Sequence, residues 1–220
     1  RAGQLSMWKG AATAYAVRNA VFGVQLATAG MTGPEAPFVG RHGLVELISG
    51  PIELPPFGTT PDDFFIPRAK IKYWPVVYNM QALVWAAIEL RRQVSPEQLA
   101  SVDVQTYWSA WHESGSEPAK WDPTTRETAD HSLPYMLAVA LQDGRLTPAS
   151  FEPRRYLDPS LRPLMSRIRV AENPEFTRRF PQELVSEMEV VTRSGTRLTE
   201  RAEYPKGHAR TPMTAADVET

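Results

Sequence analysis

The sequence has no cysteine. This excludes disulfides, thiolate-held zinc and cysteine-held iron–sulfur clusters, and it fits a chain kept in the cytoplasm. Net charge is nearly absent as well. Lys and Arg together number 24, Asp and Glu 25, and the formal net charge is -1. Nothing here draws the chain to a polyanion, so no nucleic-acid partner is expected. No apolar run reaches the length of a membrane span, and no basic-then-apolar leader opens the chain, so no membrane partner is expected either. Histidine is sparse, at 4 residues, and no closely spaced set of His and carboxylates suggests a metal. Proline, in contrast, is abundant at 20. The prolines fall between elements and predict many short, stiff connections. With 220 residues, 42% apolar and 22% charged, the chain is long enough for one large or two small globular domains.

The stretch richest in chemistry runs from Thr128 to Gly144. Asp130, His131, Ser132 and Tyr135 place an acid, an imidazole, a hydroxyl and a phenol within six residues. An apolar helix follows, containing Met136, Leu137, Ala138, Val139, Ala140 and Leu141, and Gly144 stops it. Its apolar character nearly all round predicts a buried helix. Asp130 or Ser132 caps it, and Pro134 in the first turn forgoes no hydrogen bond. Two readings stay open. The polar turn either ties down the entry of a core helix, which is the commoner use of such residues, or builds an anion-binding or acid–base site where the helix dipole favours negative charge.

The rest of the chain supplies the frame. Residues 7 to 29 predict a helix capped by Ser6 and ended by Gly30. Its many small residues suit close packing inside a bundle, and the segment reads as the end of a helical domain whose start is absent. Lys9 on it either snorkels to solvent or meets a substrate carboxylate. Residues 30 to 67 are rich in Gly and Pro and read as a crossing between domains, with a short helix near 43 to 48. Leu54 and Phe57 argue that the crossing is ordered. Residues 69 to 75 are predicted extended and residues 76 to 92 helical. Lys72, just before that helix, is a better anion contact than an arbitrary surface lysine. Residues 102 to 108 alternate as a strand, 109 to 127 are turn-like, 165 to 170 predict a strand, and 175 to 180 a loop or turn. Residues 184 to 192 and 197 to 204 form a hairpin about Ser194 and Gly195. Lys206, His208 and Arg210 alternate along the following loop, as a basic clamp for a carboxylate or as an exposed tail. The fold class is α+β, with an antiparallel sheet. The expected divisions are 1–60 as the end of a helical domain plus crossover, 61–205 as the α+β domain, and 206–220 as a C-terminal segment.

Four separated pieces of this sequence resemble the MmgE/PrpD family, which includes 2-methylcitrate dehydratase and cis-aconitate decarboxylase. They are Trp8-Lys9 with Arg18-Asn19 and Gly30 to Pro34; Lys72-Tyr73-Trp74-Pro75 with Gln81; Asp130 to Tyr135 through Leu141 to Gly144; and Tyr204 to His208. Their order follows the family. Gln81 and the Gly207-His208-Ala209-Arg210 ending lean towards the dehydratase branch. Asn79 departs from it, since the dehydratases carry a His near that position and Asn cannot exchange a proton.

The resemblance implies a cofactor-free hydro-lyase acting on a di- or tricarboxylate, in propionate catabolism through the methylcitrate cycle, and a homodimer. It implies catalytic roles for His131, Tyr135 and Lys72, and substrate binding by Lys9, Gln81, Ser132 and His208. Lys9 and Lys72 are then expected to converge beside the Asp130–Ser132 turn. It also implies that this chain holds only part of a longer protein that begins with a helical domain. A decarboxylase or epimerase of the family, a silent dimerisation fragment, and a generic α+β domain are the alternatives.

Overall fold

Alternation of apolar and polar residues builds the sheet. In β1 (Leu99–Thr106) and β3 (Ser186–Thr192), side chains such as Val102, Val104, Met188 and Val190 turn inward and are buried. β2 (Ile168–Glu172) and β4 (Arg197–Ala202) flank them, giving the order β2-β1-β3-β4. In this computed structural model, residues 5–53, 60, 64 and 69–219 are described.

The sheet is mixed, which corrects the expectation of an antiparallel one. β1 pairs antiparallel with β3, and β3 with β4, but β1 and β2 run parallel, with Val102 opposite Ile168. A parallel pair needs a long crossover. Here it is the run of short helices α3 (Trp108–Ser114), α4 (Arg126–Ala129), α5 (Leu133–Asp143), α6 (Pro153–Tyr156) and α7 (Arg162–Met165). The helix α8 (Pro174–Arg179) follows β2 where a loop or turn was expected, and α9 (Ala215–Glu219) ends the described chain. The predicted strand at 102 to 108 also ends early. Tyr107 caps α3, which occupies part of the stretch read as turn-like.

The helix α2 (Gln81–Gln93) and α5 pack together against one face of the sheet. Leu133 to Leu141 are buried without interruption, as the apolar run predicted. Each large side chain there contributes about 1.5–3 kcal/mol by leaving water. The other sheet face is laced with charge pairs, Arg197 to Glu189 at 2.6 Å and Arg169 to Asp103 at 3.9 Å. The β3–β4 hairpin turns at Gly195, whose φ of +89° suits glycine.

The chain divides into two compact units, Arg1–Pro67 and Arg68–Thr220. The first holds α1 (Trp8–Thr28) and a short π-helical turn at Val45–Ser49. Met7 stands at the cap of α1, and no side chain caps it, so Ser6 does not play that part. No α1 residue is buried, and Trp8, Phe22 and Val24 are 58%, 58% and 66% exposed. The bundle expected around α1 is therefore not present among the described residues. The expectation for Leu54 and Phe57 lies outside the described residues.

Candidate functional site

Segment 69–77 of the second unit is tied at one end to the loop after the last strand and at the other to the turn before α5. This segment carries Lys72. The sequence predicts it extended over 69–75, but it bends over 73–76, where the Val76 N–H donates to the Trp74 oxygen at 2.8 Å. The turn is at Asp130–Ser132, and the loop runs from Tyr204 to Thr211. Backbone bonds stitch them together. The Ile71 N–H donates to the Gly207 oxygen at 3.0 Å, and the Val77 N–H to the Asp130 oxygen at 3.4 Å. A Cβ on Gly207 would lie 2.2 Å from the Ile71 oxygen, so the close approach demands glycine there.

The Asp130–Ser132 turn forms because each of its polar groups has a task. Ser132 is the N-cap of α5. Its hydroxyl accepts the Tyr135 N–H at 3.1 Å and donates to the Lys120 carbonyl. His131 Nδ1 bonds the Asp130 carboxylate, and the ring is 7% exposed. A carboxylate on Nδ1 fixes the orientation of an imidazole and leaves Nε2 for chemistry. His208 is 8% exposed, and its Nδ1 accepts the Arg210 N–H at 3.1 Å. Its other nitrogen then carries the proton in the neutral ring. Burial, followed by the nearby cations Lys70 and Arg210, lowers the pKa of His208 and favours that neutral form.

Three of the residues implied by the resemblance carry internal loads instead. Tyr135 is fully buried, and its hydroxyl donates to the Ser150 carbonyl. Burial also pushes its pKa up. Ser132 is fully buried with its donor and an acceptor position occupied. Gln81 is fully buried too. Its Oε1 accepts the N–H groups of Tyr73 at 3.1 Å and Trp74 at 2.9 Å, while its Nε2 donates to the Trp74 oxygen at 2.8 Å and the Val76 oxygen at 3.3 Å. These three side chains are closed off from solvent in the described structure. The partners that Tyr135, Ser132 and Gln81 hold are internal to the chain.

Lys72 is exposed, in the second unit. Lys9 is exposed on α1 of the first unit. Asn79 is a structural link: its Oδ1 accepts from the Tyr107 hydroxyl at 3.0 Å, and its Nδ2 donates to Glu113 at 2.9 Å. The sequence marks Lys206 only as part of a clamp or an exposed tail. Its ammonium lies 5.7 Å from the Tyr73 ring centre and 5.4 Å from that of Trp85, and it bonds Asp217 at 2.6 Å.

Two features escaped the sequence. Lys120 is only 2% exposed, and its ammonium lies 4.0 Å from the Glu117 carboxylate. No periodicity or cap marks it out. The Trp74 and Trp85 indole nitrogens and the Tyr78 hydroxyl are buried without a hydrogen-bond partner. Burial raises the pKa of Tyr78 to about 12. Beside Trp85, an apolar recess of about 270 Å³ is lined by Ala82, Ala202, Tyr204 and Pro205. Elsewhere, a cleft of about 540 Å³ is lined by Arg145, Arg154 and Arg155, but Asp143 and Asp158 already pair with Arg155.

Among the described residues no three His, Asp or Glu side chains are grouped to hold a metal ion. No helix among them is long and apolar enough to cross a membrane.

The chain is similar to 2-methylcitrate dehydratase of Cupriavidus necator, with 32% identity over 64% of this chain and 30% of that protein. It is similar to 2-methylcitrate dehydratase of Escherichia coli K12, with 29% identity over 62% of this chain and 30% of that protein. Cis-aconitate decarboxylase of Mus musculus matches at 29% identity over 44% of this chain and 20% of that protein. The matched part thus spans less than a third of each relative. The MmgE/PrpD C-terminal domain matches residues 74–220, most of the chain and nearly all of the second unit, and the chain therefore belongs to the MmgE/PrpD family.

Proposed function

We propose that this chain carries part of a cofactor-free dehydratase of the 2-methylcitrate dehydratase type, acting on a hydroxylated di- or tricarboxylate. The observation that supports the reading is the bond from the Val77 N–H to the Asp130 oxygen, which ties the segment after Lys72 to the Asp130–His131 turn; Val77, Asp130 and His131 fall in the matched family domain, which begins two residues after Lys72. The bond brings a cation and an oriented imidazole onto neighbouring loops.

Dehydration breaks a C–H bond next to a carboxylate and a C–O bond to the hydroxyl. The C–H electron pair becomes the new C=C bond, the proton goes to a base, and the departing hydroxide takes up a proton to leave as water. Negative charge builds on the carboxylate, so a fixed cation beside it lowers the barrier. Lys72 has that role. His131, held by Asp130, transfers the proton through Nε2, a contribution of about 100- to 10,000-fold in rate. His208, with Nδ1 already occupied, donates from Nε2 to a substrate oxygen. Asn79 cannot exchange a proton, so the acid–base work falls to His131.

A silent assembly fragment is the second reading, favoured by the exposed apolar side chains of α1. Ligand binding separates the two. Propane-1,2,3-tricarboxylate that binds only the folded chain must raise its melting temperature. We expect a rise at millimolar ligand that Lys72→Ala abolishes. No rise in the unsubstituted chain overturns the reading. Formation of a conjugated product from 2-methylcitrate, followed by ultraviolet absorbance, then tests turnover.

A further inference from the structure

We infer that Gln81, together with Gly207, is a positioning residue whose task is to hold the peptide around Lys72 and so aim its ammonium. This rests on the reading of Lys72 as the contact for a substrate carboxylate.

A lysine on an irregular segment is a poor electrostatic tool unless its backbone is fixed. Its side chain already carries four rotatable bonds, and a mobile main chain adds more freedom that binding must remove. Around Lys72 the chain lies outside any strand or helix, so neither ladder nor helical hydrogen bonds hold it. The fixing comes from elsewhere, on both sides of the residue.

On the N-terminal side, the Ile71 N–H donates to the Gly207 oxygen at 3.0 Å. Gly207 has φ +92° and approaches Ile71 so closely that a side chain there would collide with backbone, its Cβ lying 2.2 Å from the Ile71 oxygen. On the C-terminal side, Gln81 uses its entire carboxamide on three residues. It accepts from the N–H groups of Tyr73 and Trp74 and donates to the oxygens of Trp74 and Val76. A third tie passes through side chains, because Lys206, one residue before Gly207, sits over the rings of Tyr73 and Trp85.

The choice of residue at position 81 follows from this geometry. The site presents two backbone N–H groups and two backbone oxygens to one buried side chain, and only a neutral carboxamide offers both an acceptor and two donors there. A glutamate would keep the acceptor but set a charge against the Trp74 and Val76 oxygens. A leucine of similar size would leave all four backbone groups to find other partners, at a cost for each buried one. Position 81 opens α2, so this side chain supplies the hydrogen-bonded link between the core helix and the lysine segment, beside the ring contacts of Trp85 with Tyr73 and Trp74. Gln81 therefore contributes to function without touching substrate.

The test reads the reactivity of Lys72. The intact 220-residue chain is treated briefly with a lysine-acetylating reagent, with and without propane-1,2,3-tricarboxylate, and acetylation of each lysine is quantified by mass spectrometry. In the unsubstituted chain we expect the tricarboxylate to slow acetylation of Lys72 at least about 5-fold while the rate at Lys70 changes less. In Gln81→Ala and in Gly207→Ala that protection falls to within 2-fold, at a temperature where circular dichroism shows each variant folded. Gln81→Glu, which keeps the acceptor, serves if the alanine variant does not fold, and it is expected to lose protection as well. A core variant on the short helix Pro159–Leu161, Leu161→Ala, is destabilised but keeps full protection, which separates aiming from general loosening. Protection in the unsubstituted chain that survives undiminished in the position-81 and position-207 variants overturns the positioning role and leaves the Lys72 reading standing. Absence of protection in the unsubstituted chain overturns the Lys72 reading, and the positioning role falls with it.

Discussion

The Gly207 carbonyl accepts the Ile71 N–H at 3.0 Å, and the same closeness leaves no room for a side chain on Gly207. One contact thus ties the loop of the last strand to the segment carrying Lys72. Gly207→Ala is predicted to destabilise the chain by about 1–3 kcal/mol, from the positive φ and the collision together. Urea denaturation checks this. A fall in midpoint without a change in slope is the expected signature.

Lys206 leads to a pH prediction. Its ammonium bonds Asp217, and with help from the backbone and hydroxyl of Thr214 it lowers the Asp217 pKa from 3.8 to about 2. A carboxyl with a depressed folded-state pKa adds stability that is fully present above its unfolded value and is lost as pH falls through the folded value. The contact holding α9 should therefore weaken between about pH 4 and pH 2 and be unaffected by pH above 5. Trp85 fluorescence reports it, since Lys206 sits over that ring. Asp217→Asn should remove the acid transition from that signal. An unchanged transition in the variant would assign it to another carboxyl.

The pair formed by buried Tyr107 and half-buried Asn79 gives a third expectation. Tyr107 is fully buried, stacks on Phe180 with ring centres 4.7 Å apart, and donates its hydroxyl to Asn79. Tyr107→Phe keeps the stack and strands the Asn79 oxygen. The predicted cost is about 1–2 kcal/mol, measured by chemical denaturation. Tyr107→Ala should cost about 3–5 kcal/mol through the cavity it leaves. A phenylalanine variant as stable as the parent would mean that water replaces the lost donor.

Local signals explain what the sequence revealed. The apolar run 136–141 and Gly144 place α5 because burial on all sides leaves one period to read, and the αL glycine marks its end at φ +70°. The β3–β4 hairpin is likewise declared by alternation and by Gly195. The parallel pairing of β1 with β2 was not legible, because register between strands some sixty residues apart is decided by packing of the intervening helices. α8 was missed because its six residues carry too little periodicity, although the Asn173-Pro174 start is a cap signal in hindsight. At the site, residue types suggest chemistry but do not reveal which partners each group holds. Gln81, Ser132 and Tyr135 look like functional groups on paper. Only their partners, all backbone atoms, show that they hold the scaffold on which Lys72 and His131 stand.

Tyr135 offers the sharpest separation between scaffold and chemistry. It sits in the first turn of α5, fully buried, with its hydroxyl on the Ser150 carbonyl and its ring 6.2 Å from that of Phe151. The hydroxyl ties α5 to the short helix Pro148–Phe151. Burial raises the phenol pKa, so the group stays protonated near neutrality and keeps its donated bond to the Ser150 carbonyl. Tyr135→Phe should therefore lower stability by about 1–2 kcal/mol. It should leave the melting-temperature rise caused by propane-1,2,3-tricarboxylate within a degree of the parent's. His131→Gln should do the reverse for chemistry. It keeps a polar group beside Asp130, changes stability by less than about 1 kcal/mol, and abolishes product formation in any preparation of the protein that shows turnover. Denaturation midpoints and ligand-induced shifts for both variants decide the matter. If Tyr135→Phe abolishes the ligand shift while the fold persists, the phenol belongs to the substrate after all, and the buried bond to Ser150 must open when ligand binds.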